Sequence, residues 1–396
     1  MIVYADNAAT TRLSPVAKKA MMPYFDEIYG NPSSLHTHGQ VAAQDLKKAR
    51  DTIARCLNAD PREIYFTSGG SEADNQALYS AATYGEKIGK KHIISTKFEH
   101  HAVLHVLKKL EKEGFEVTLL DVHKNGIVTA DEVKKAIRDD TVIVSVMYAN
   151  NEIGTIQPIS DIGAVCHQKG VIFHTDAVQA VGHINVDVKA QGIDMLSLSG
   201  HKFHGPKGIG ALYCRKGMQL RSLIDGGFQE RGKRAGTENM PAIMGMAAAL
   251  REACDDMEKN SAHVTKLRDK LIDGLLKIPN SILNGDRKSR LPGNVNMCFE
   301  GIEGESLLLF LNERGIEVSS GSACTSGSLD PSHVLLAIGL PHDIAHGSLR
   351  VSLCEYNTEE EIDFMIKEVP TVVAYLRDMS PVWDELQKGE RTHVIQ

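Results

Sequence analysis

The chain contains no C-x-x-C pair, and its seven cysteines (Cys56, Cys166, Cys214, Cys254, Cys298, Cys324 and Cys354) are dispersed and odd in number. Both facts argue against a disulfide framework and against a zinc cluster. No apolar stretch is long enough to span a bilayer, so no membrane partner is expected. No long basic run occurs and the formal net charge is −7, which argues against nucleic acid. The opening residues, MIVYADNAATTRL, lack a charged n-region, an apolar h-region and a cleavage site. A soluble, cytoplasmic protein is therefore expected. No H-E-x-x-H occurs. His101 and His105 share i,i+4 spacing, as do His342 and His346, but no third ligand accompanies either pair in the sequence, so no metal is expected.

What is present is enough apolar material for two domains: 42% hydrophobic residues in 396. From about residue 60 to 215, short β-branched runs alternate with helical patterns. IYF (64–66), HIIST (92–96), EVTLL (116–120), TVIVSVMYA (141–149), VIFHTDA (171–177) and DMLSLS (194–199) read as strands. This is the βαβ pattern of an α/β fold, a mainly parallel sheet covered by helices on both faces. After residue 240 the text reads as one or two long helices, then as an α+β tail with strands at 294–299 and 349–353. The charged end, WDELQKGERTHVIQ, is expected to fray.

Ligands of open parallel sheets bind beyond the carboxyl ends of the strands, and the unusual residues sit there. Lys202, in SLSGHKFHGPKG, follows a strand directly. A lysine so placed is a Schiff-base candidate once burial and neighbouring cations lower its pKa; the plainer reading is a surface lysine in a Gly-rich turn. Asp176 ends an apolar strand, where a carboxylate needs a cation or a donor, such as a pyridinium nitrogen; alone, it would pass for a helix N-cap. SGGSEADNQAL (68–78) places Gly70 and Ser71 at a helix start, a seat for phosphate that is neither G-x-G-x-x-G nor a P-loop. His100 follows the next strand end and could stack on a flat ring and move protons.

Together these residues describe a site for pyridoxal 5'-phosphate (PLP), and at this point a family resemblance is plain. YADNAATT, GNPSSLH, TSGGSEADN, EHHAV, ANNEIGT, HTDAVQAVG, SLSGHKFHGPKG, RAGTEN, LPGNVN, GSACTSGS, PSHVL and AHGSLRVSL span almost the whole chain. The sequence resembles the NifS/IscS-type cysteine desulfurases, fold-type I PLP enzymes of the class V aminotransferases, with TSGS and HTDAVQAVG leaning toward the NifS branch. The resemblance implies a large PLP-binding domain at 15–255 and a small α+β domain built from 1–14 and 256–396. It implies that Lys202 carries the cofactor, Asp176 pairs with its ring nitrogen, and Gln179 and Asn151 reach its ring hydroxyl. His100 would stack on the ring, with Gly70, Ser71, Ser199 and His201 holding the phosphate. The family usually has Thr where Ser71 stands. Thr237 would reach the phosphate of a neighbouring subunit, which implies a homodimer. Arg350 would clamp the substrate carboxylate, with Asn151 assisting. Asn31 is open between lining that pocket and forming a turn before Pro32.

The ten residues 319–328, SSGSACTSGS, hold five serines, two glycines and Cys324. Such composition cannot pack a core. By resemblance, the Cys324 thiolate removes sulfur from L-cysteine, leaving alanine and a persulfide, and the loop carries that sulfur to an acceptor such as an iron–sulfur scaffold protein. The competing readings are a selenocysteine lyase, another fold-type I aminotransferase, or a scaffold without turnover.

Overall fold

The computed structural model describes residues 1–320 and 331–395. Cys324 lies outside the described residues. Among those described, the central sheet has seven strands: β2 (Ile64–Thr67), β3 (His92–Thr96), β4 (Glu116–Leu120), β5 (Thr141–Ser145), β6 (Ile172–Asp176), β7 (Met195–Ser199) and β8 (Gly210–Cys214). Their order is β2-β8-β7-β6-β5-β3-β4. β3 to β7 are parallel, and β8 runs antiparallel to both β7 and β2.

The reading of the sequence missed β8 and placed IYF beside the parallel strands. GALYC is short, and no helix follows it to complete a βαβ unit. It returns directly along β7 and separates β7 from β2 at the edge. β3, β5, β6, β7 and β8 are buried along their whole length, because helices cover both faces. The expected strand at 141–149 is regular only to Ser145, yet Val146 and Tyr148 still donate to the His174 and Asp176 carbonyls at 3.2 and 2.8 Å. That extension brings Asn150 and Asn151 out beside the end of β6.

The covering helices start and stop where local chemistry dictates. Thr129 and Glu132 form a capping box on the Ala130–Ala136 helix, and Gly89 and Gly170 end theirs in the left-handed conformation. The core under these helices runs from Ala17 to Leu250.

A second core gathers Val3 and Ala5 with residues between Val264 and Leu376. Here β10 (Asn294–Phe299) pairs antiparallel with β9 (Ser281–Leu283) and β12 (Ser348–Ser352). The helices Met257–Leu275 and Glu359–Asp378 pack with them. β1 (Val3–Tyr4) pairs in parallel with β11 (Ile316–Glu317).

The C-terminal residues do not fray. Pro381–Gln387 is a helix, Ile395 is buried, and Glu300 accepts from the Val394 N–H at 2.6 Å and meets His393 Nδ1 at 2.8 Å. Among the described residues, no helix is long and apolar enough to cross a membrane.

Candidate active site

The parallel strands deliver their last residues to one edge of the sheet. β7 runs out at Ser199 into a short 3-10 turn, Gly200–Lys202. There Lys202 Nζ donates to the Ala8 and Ala9 carbonyls at 2.6 and 2.8 Å. β6 ends on Asp176, which is 5% exposed and accepts the Val178 N–H at 3.0 Å. Burial pushes this carboxyl up, while His100 and Lys202 draw it back down. His100 caps the His101–Lys112 helix, its Nδ1 accepting the Ala102 N–H at 3.1 Å. Side-chain atoms of His100, Asp176 and Asp74 all lie within 4.8 Å of one another. Asp176 and His100 thus lie together, with Lys202 near enough to act on Asp176.

Beside them is an open cleft of about 420 Å³ whose lining includes Gly70, Ser71, Ser199, His201 and Lys207. The Gly70–Ile88 helix points its first N–H groups into it, and those groups have no partner within the helix. Gly70 permits the approach, since a Cβ there would come within 2.5 Å of Val178 Cγ2. His201 faces Thr10 Oγ1 at 3.1 Å, and burial, with Lys202 and Lys207 nearby, pushes its pKa down to about 4.

Arg350 enters from β12. It is 3% exposed, donates from Nη2 to Asp6 at 2.9 Å and from Nη1 to the Asn151 carbonyl at 3.2 Å, and its Nε has no hydrogen-bond partner among the described residues. Gln179 Nε2 donates to the Ala8 carbonyl at 3.0 Å, the acceptor that Lys202 also uses. Asn31 forms an exposed turn, its Oδ1 accepting the Ser33 N–H at 2.9 Å. Thr237 is exposed ahead of the Met240–Asp255 helix.

Several residues of the site had no role in the sequence reading. Asp6 holds Arg350. Glu99, fully buried, accepts from Thr96 Oγ1 and the Met147 N–H at 2.6 and 3.0 Å, and burial pushes it up to about 8. Glu152, raised by burial to about 7, bonds to Ser332. A charged residue just after a strand was the available signal for Glu99 and Glu152, inside FEHH and ANNE. A third histidine also joins His101 and His105: the His333 ring lies 4.8 Å from that of His101, with its Nε2 donating to the Glu99 carbonyl at 3.0 Å.

Comparison with known proteins places this geometry. The model of the family described as Aminotransferase class-V matches residues 3–365. A cysteine desulfurase IscS from Clostridium botulinum is 52% identical over 391 residues, covering 98% of each chain. The chain belongs to the class-V aminotransferase family. Among solved structures, a NifS-like protein superposes with a TM-score of 0.89 at 40% identity, covering 95% of this chain and all of that one. SspA in complex with cysteine gives a TM-score of 0.78 at 38% identity, over 90% of this chain and 99% of its own. The fold-type I, NifS-like architecture read from the motifs is therefore the fold of this family member, and the shared length includes every strand described above.

Proposed function

We propose that this chain is a PLP-dependent cysteine desulfurase that takes sulfur from L-cysteine, releases L-alanine and leaves the sulfur on Cys324. One observation carries the reading: Asp176 and His100 meet, with Lys202 near enough to act on Asp176, next to a cleft lined by a helix N-terminus, in a chain 52% identical over 98% of its length with a named cysteine desulfurase. The residues fit the cofactor. A buried carboxylate at the end of β6 needs a cationic partner, which a pyridinium supplies. A helix N-terminus with Ser71, Ser199 and His201 suits its phosphate. Lys202 would hold the cofactor covalently, Gln179 and Asn151 its ring hydroxyl, and His100 its ring face. When bound, the group supplies an electron sink that weakens the substrate's C–S bond.

The chain's own residues do the rest. Arg350, held by Asp6, would clamp the substrate carboxylate with its guanidinium. Lys202 Nζ moves the proton at the substrate α-carbon, and His100 moves the proton of the thiol. The Cys324 thiolate attacks the substrate sulfur. One S–S bond forms, one C–S bond breaks, and the carbon that loses sulfur takes up a proton to give alanine.

Two cores, one from Ala17 to Leu250 and one joining Val3 and Ala5 to the C-terminal third, support a division at 15–255 and at 1–14 with 256–396. Thr237 is exposed, and Phe228 in the preceding segment is 93% exposed, which supports a homodimer whose second copy covers that segment. An iron–sulfur scaffold is proposed as the sulfur acceptor.

The test is incubation of the purified protein with L-cysteine, followed by alanine quantification and peptide mass mapping. Alanine with added sulfur on Cys324, both lost in Cys324→Ala, is expected. Alanine that persists in Cys324→Ala would indicate a lyase route, and absence of alanine from PLP-loaded protein would overturn the reading.

A further inference from the structure

On the far side of the Lys202 turn lies a second cluster that the proposed chemistry does not use. His204 follows that turn, and Cys354 and Glu355 follow β12, the strand that carries Arg350. Imidazole, thiol and carboxylate ligand atoms all lie within 4.8 Å of one another. We propose that His204, Cys354 and Glu355 bind a divalent transition-metal ion of the zinc class, which ties the Lys202 turn to the Arg350 strand.

The spacing suits coordination. His204 Nε2 stands 3.3 Å from Glu355 Oε2. Two ligand atoms at ~2.0–2.1 Å from zinc and at the tetrahedral angle stand ~3.3 Å apart. The imidazole is also set in the required tautomer. Its Nδ1 lies 3.0 Å from the Arg12 carbonyl, which can only accept, so Nδ1 carries the proton and Nε2 can offer its lone pair to the cluster. Histidine ligands of metals are oriented in this way.

His204 is buried, 5% exposed, and its Nε2 has no hydrogen-bond partner among the described residues. Its backbone is held at φ +62°, in the left-handed region, by the Thr11 Oγ1 acceptor at 2.9 Å on one side and the Ser14 N–H at 2.9 Å on the other. The Tyr356 ring packs edge-on against the imidazole at 5.1 Å, with Arg12 stacked over Tyr356 at 3.7 Å. A strained backbone and a clamped ring aim Nε2 at the cluster.

A thiolate, an imidazole and a carboxylate select zinc-class ions over magnesium or calcium. One thiolate and one carboxylate balance a charge of +2. A small cavity of about 40 Å³ lies at Cys354 and Glu355, enough for a water as a fourth ligand. His183, which lines the same cavity, commits its Nε2 to the Lys202 carbonyl at 2.9 Å. Metal entry displaces to solvent any protons these ligand atoms carry, with no change of oxidation state.

The experiment takes the PLP-loaded full chain, strips it with a chelator and titrates it with Co²⁺, then with Zn²⁺. The expected result is one Co²⁺ per chain, with a thiolate-to-cobalt charge-transfer band and the intense visible bands of a tetrahedral site, displaced by Zn²⁺. Cys354→Ser and His204→Gln should each weaken binding at least tenfold, and Cys354→Ser should abolish the charge-transfer band, while Cys324→Ser should keep it. Absence of stoichiometric binding, or a band lost in Cys324→Ser but kept in Cys354→Ser, would overturn the proposal. A readout in the unmutated chain covers any variant that fails to fold. Zn²⁺ should slow alkylation of Cys354 at least tenfold by peptide mapping, and an unchanged rate would equally refute the site. None of these readouts depends on desulfuration.

Discussion

The carboxylates of Asp74 and Asp176 approach within 4.8 Å of one another, both side chains buried. Two like charges so buried cannot both be ionised. Burial first, and then Asp176, raises Asp74 well above the carboxylate range, while His100 and Lys202 favour charge on Asp176. Asp74 is therefore the neutral acid of the pair and Asp176 the charged one. Asp176→Asn should weaken PLP binding by ~10–100-fold, the loss of a hydrogen bond between charged groups. Asp74→Asn should shift it less than about threefold, because the amide replaces an acid that is already neutral. Absorbance titration of cofactor-free protein measures both, and the opposite ranking would reverse the assignment.

Two buried acids should leave a mark on stability. Glu99 rises from 4.5 to about 8 and Glu152 to about 7, each chiefly through burial. The folded chain then keeps protons that the unfolded chain releases, so stability is lost as pH rises from about 4.5 through 7 to 8. Glu99→Gln keeps an oxygen acceptor for Thr96 and Met147 and removes one titrating group. Its melting temperature should fall less between pH 5 and pH 8 than that of the parent chain, on the order of a few degrees. Parallel melting curves would refute the assignment of Glu99 as a proton-holding acid.

Arg350→Lys tests the carboxylate clamp. A lysine keeps the charge but loses the planar fork and cannot serve Asp6, Asn151 and a substrate together. KM for L-cysteine should rise on the order of 10–100-fold, with the bound-cofactor spectrum unchanged. A fall in kcat at constant KM would place Arg350 elsewhere in the reaction.

Removal of residues 392–396 should destabilise the chain. Glu300 is buried and would lose His393 and the Val394 N–H. An under-satisfied buried carboxylate costs about 1–3 kcal/mol, visible as a lower denaturant midpoint. A midpoint unchanged by the deletion would show the tail to be dispensable.

Local pattern and local chemistry carried much of this into the sequence. HIIST, EVTLL and NVNMCF are strands to the residue because β-branched runs bounded by breakers have few alternatives. Lys202, Asp176 and His100 were legible because strand ends in parallel sheets converge on one edge. What escaped notice depends on distant pairing. β8 carries no βα repeat, so its antiparallel return is set by neighbours on both sides. Asp6 drew no notice, because the arginine it holds is 344 positions away. His204 looked like part of a glycine-rich loop, since Cys354 and Glu355 meet it only through the fold. The C-terminal residues looked free to fray because Glu300, which meets His393 and the Val394 N–H, is more than ninety positions away.

The first dozen residues belong to the last part of the chain to be made. Val3 pairs with Ile316, Asn7 donates to the Ser352 carbonyl across 345 positions, and the Ala8 and Ala9 carbonyls hold Lys202. During synthesis this leading segment emerges long before any of its partners. Its partners arrive in two stages: Gln179 and the Lys202 turn first, β11 and β12 after them. A nascent chain that stalls before residue 350 can hold Lys202 against Ala8 and Ala9 but has no Arg350 for Asp6 to hold.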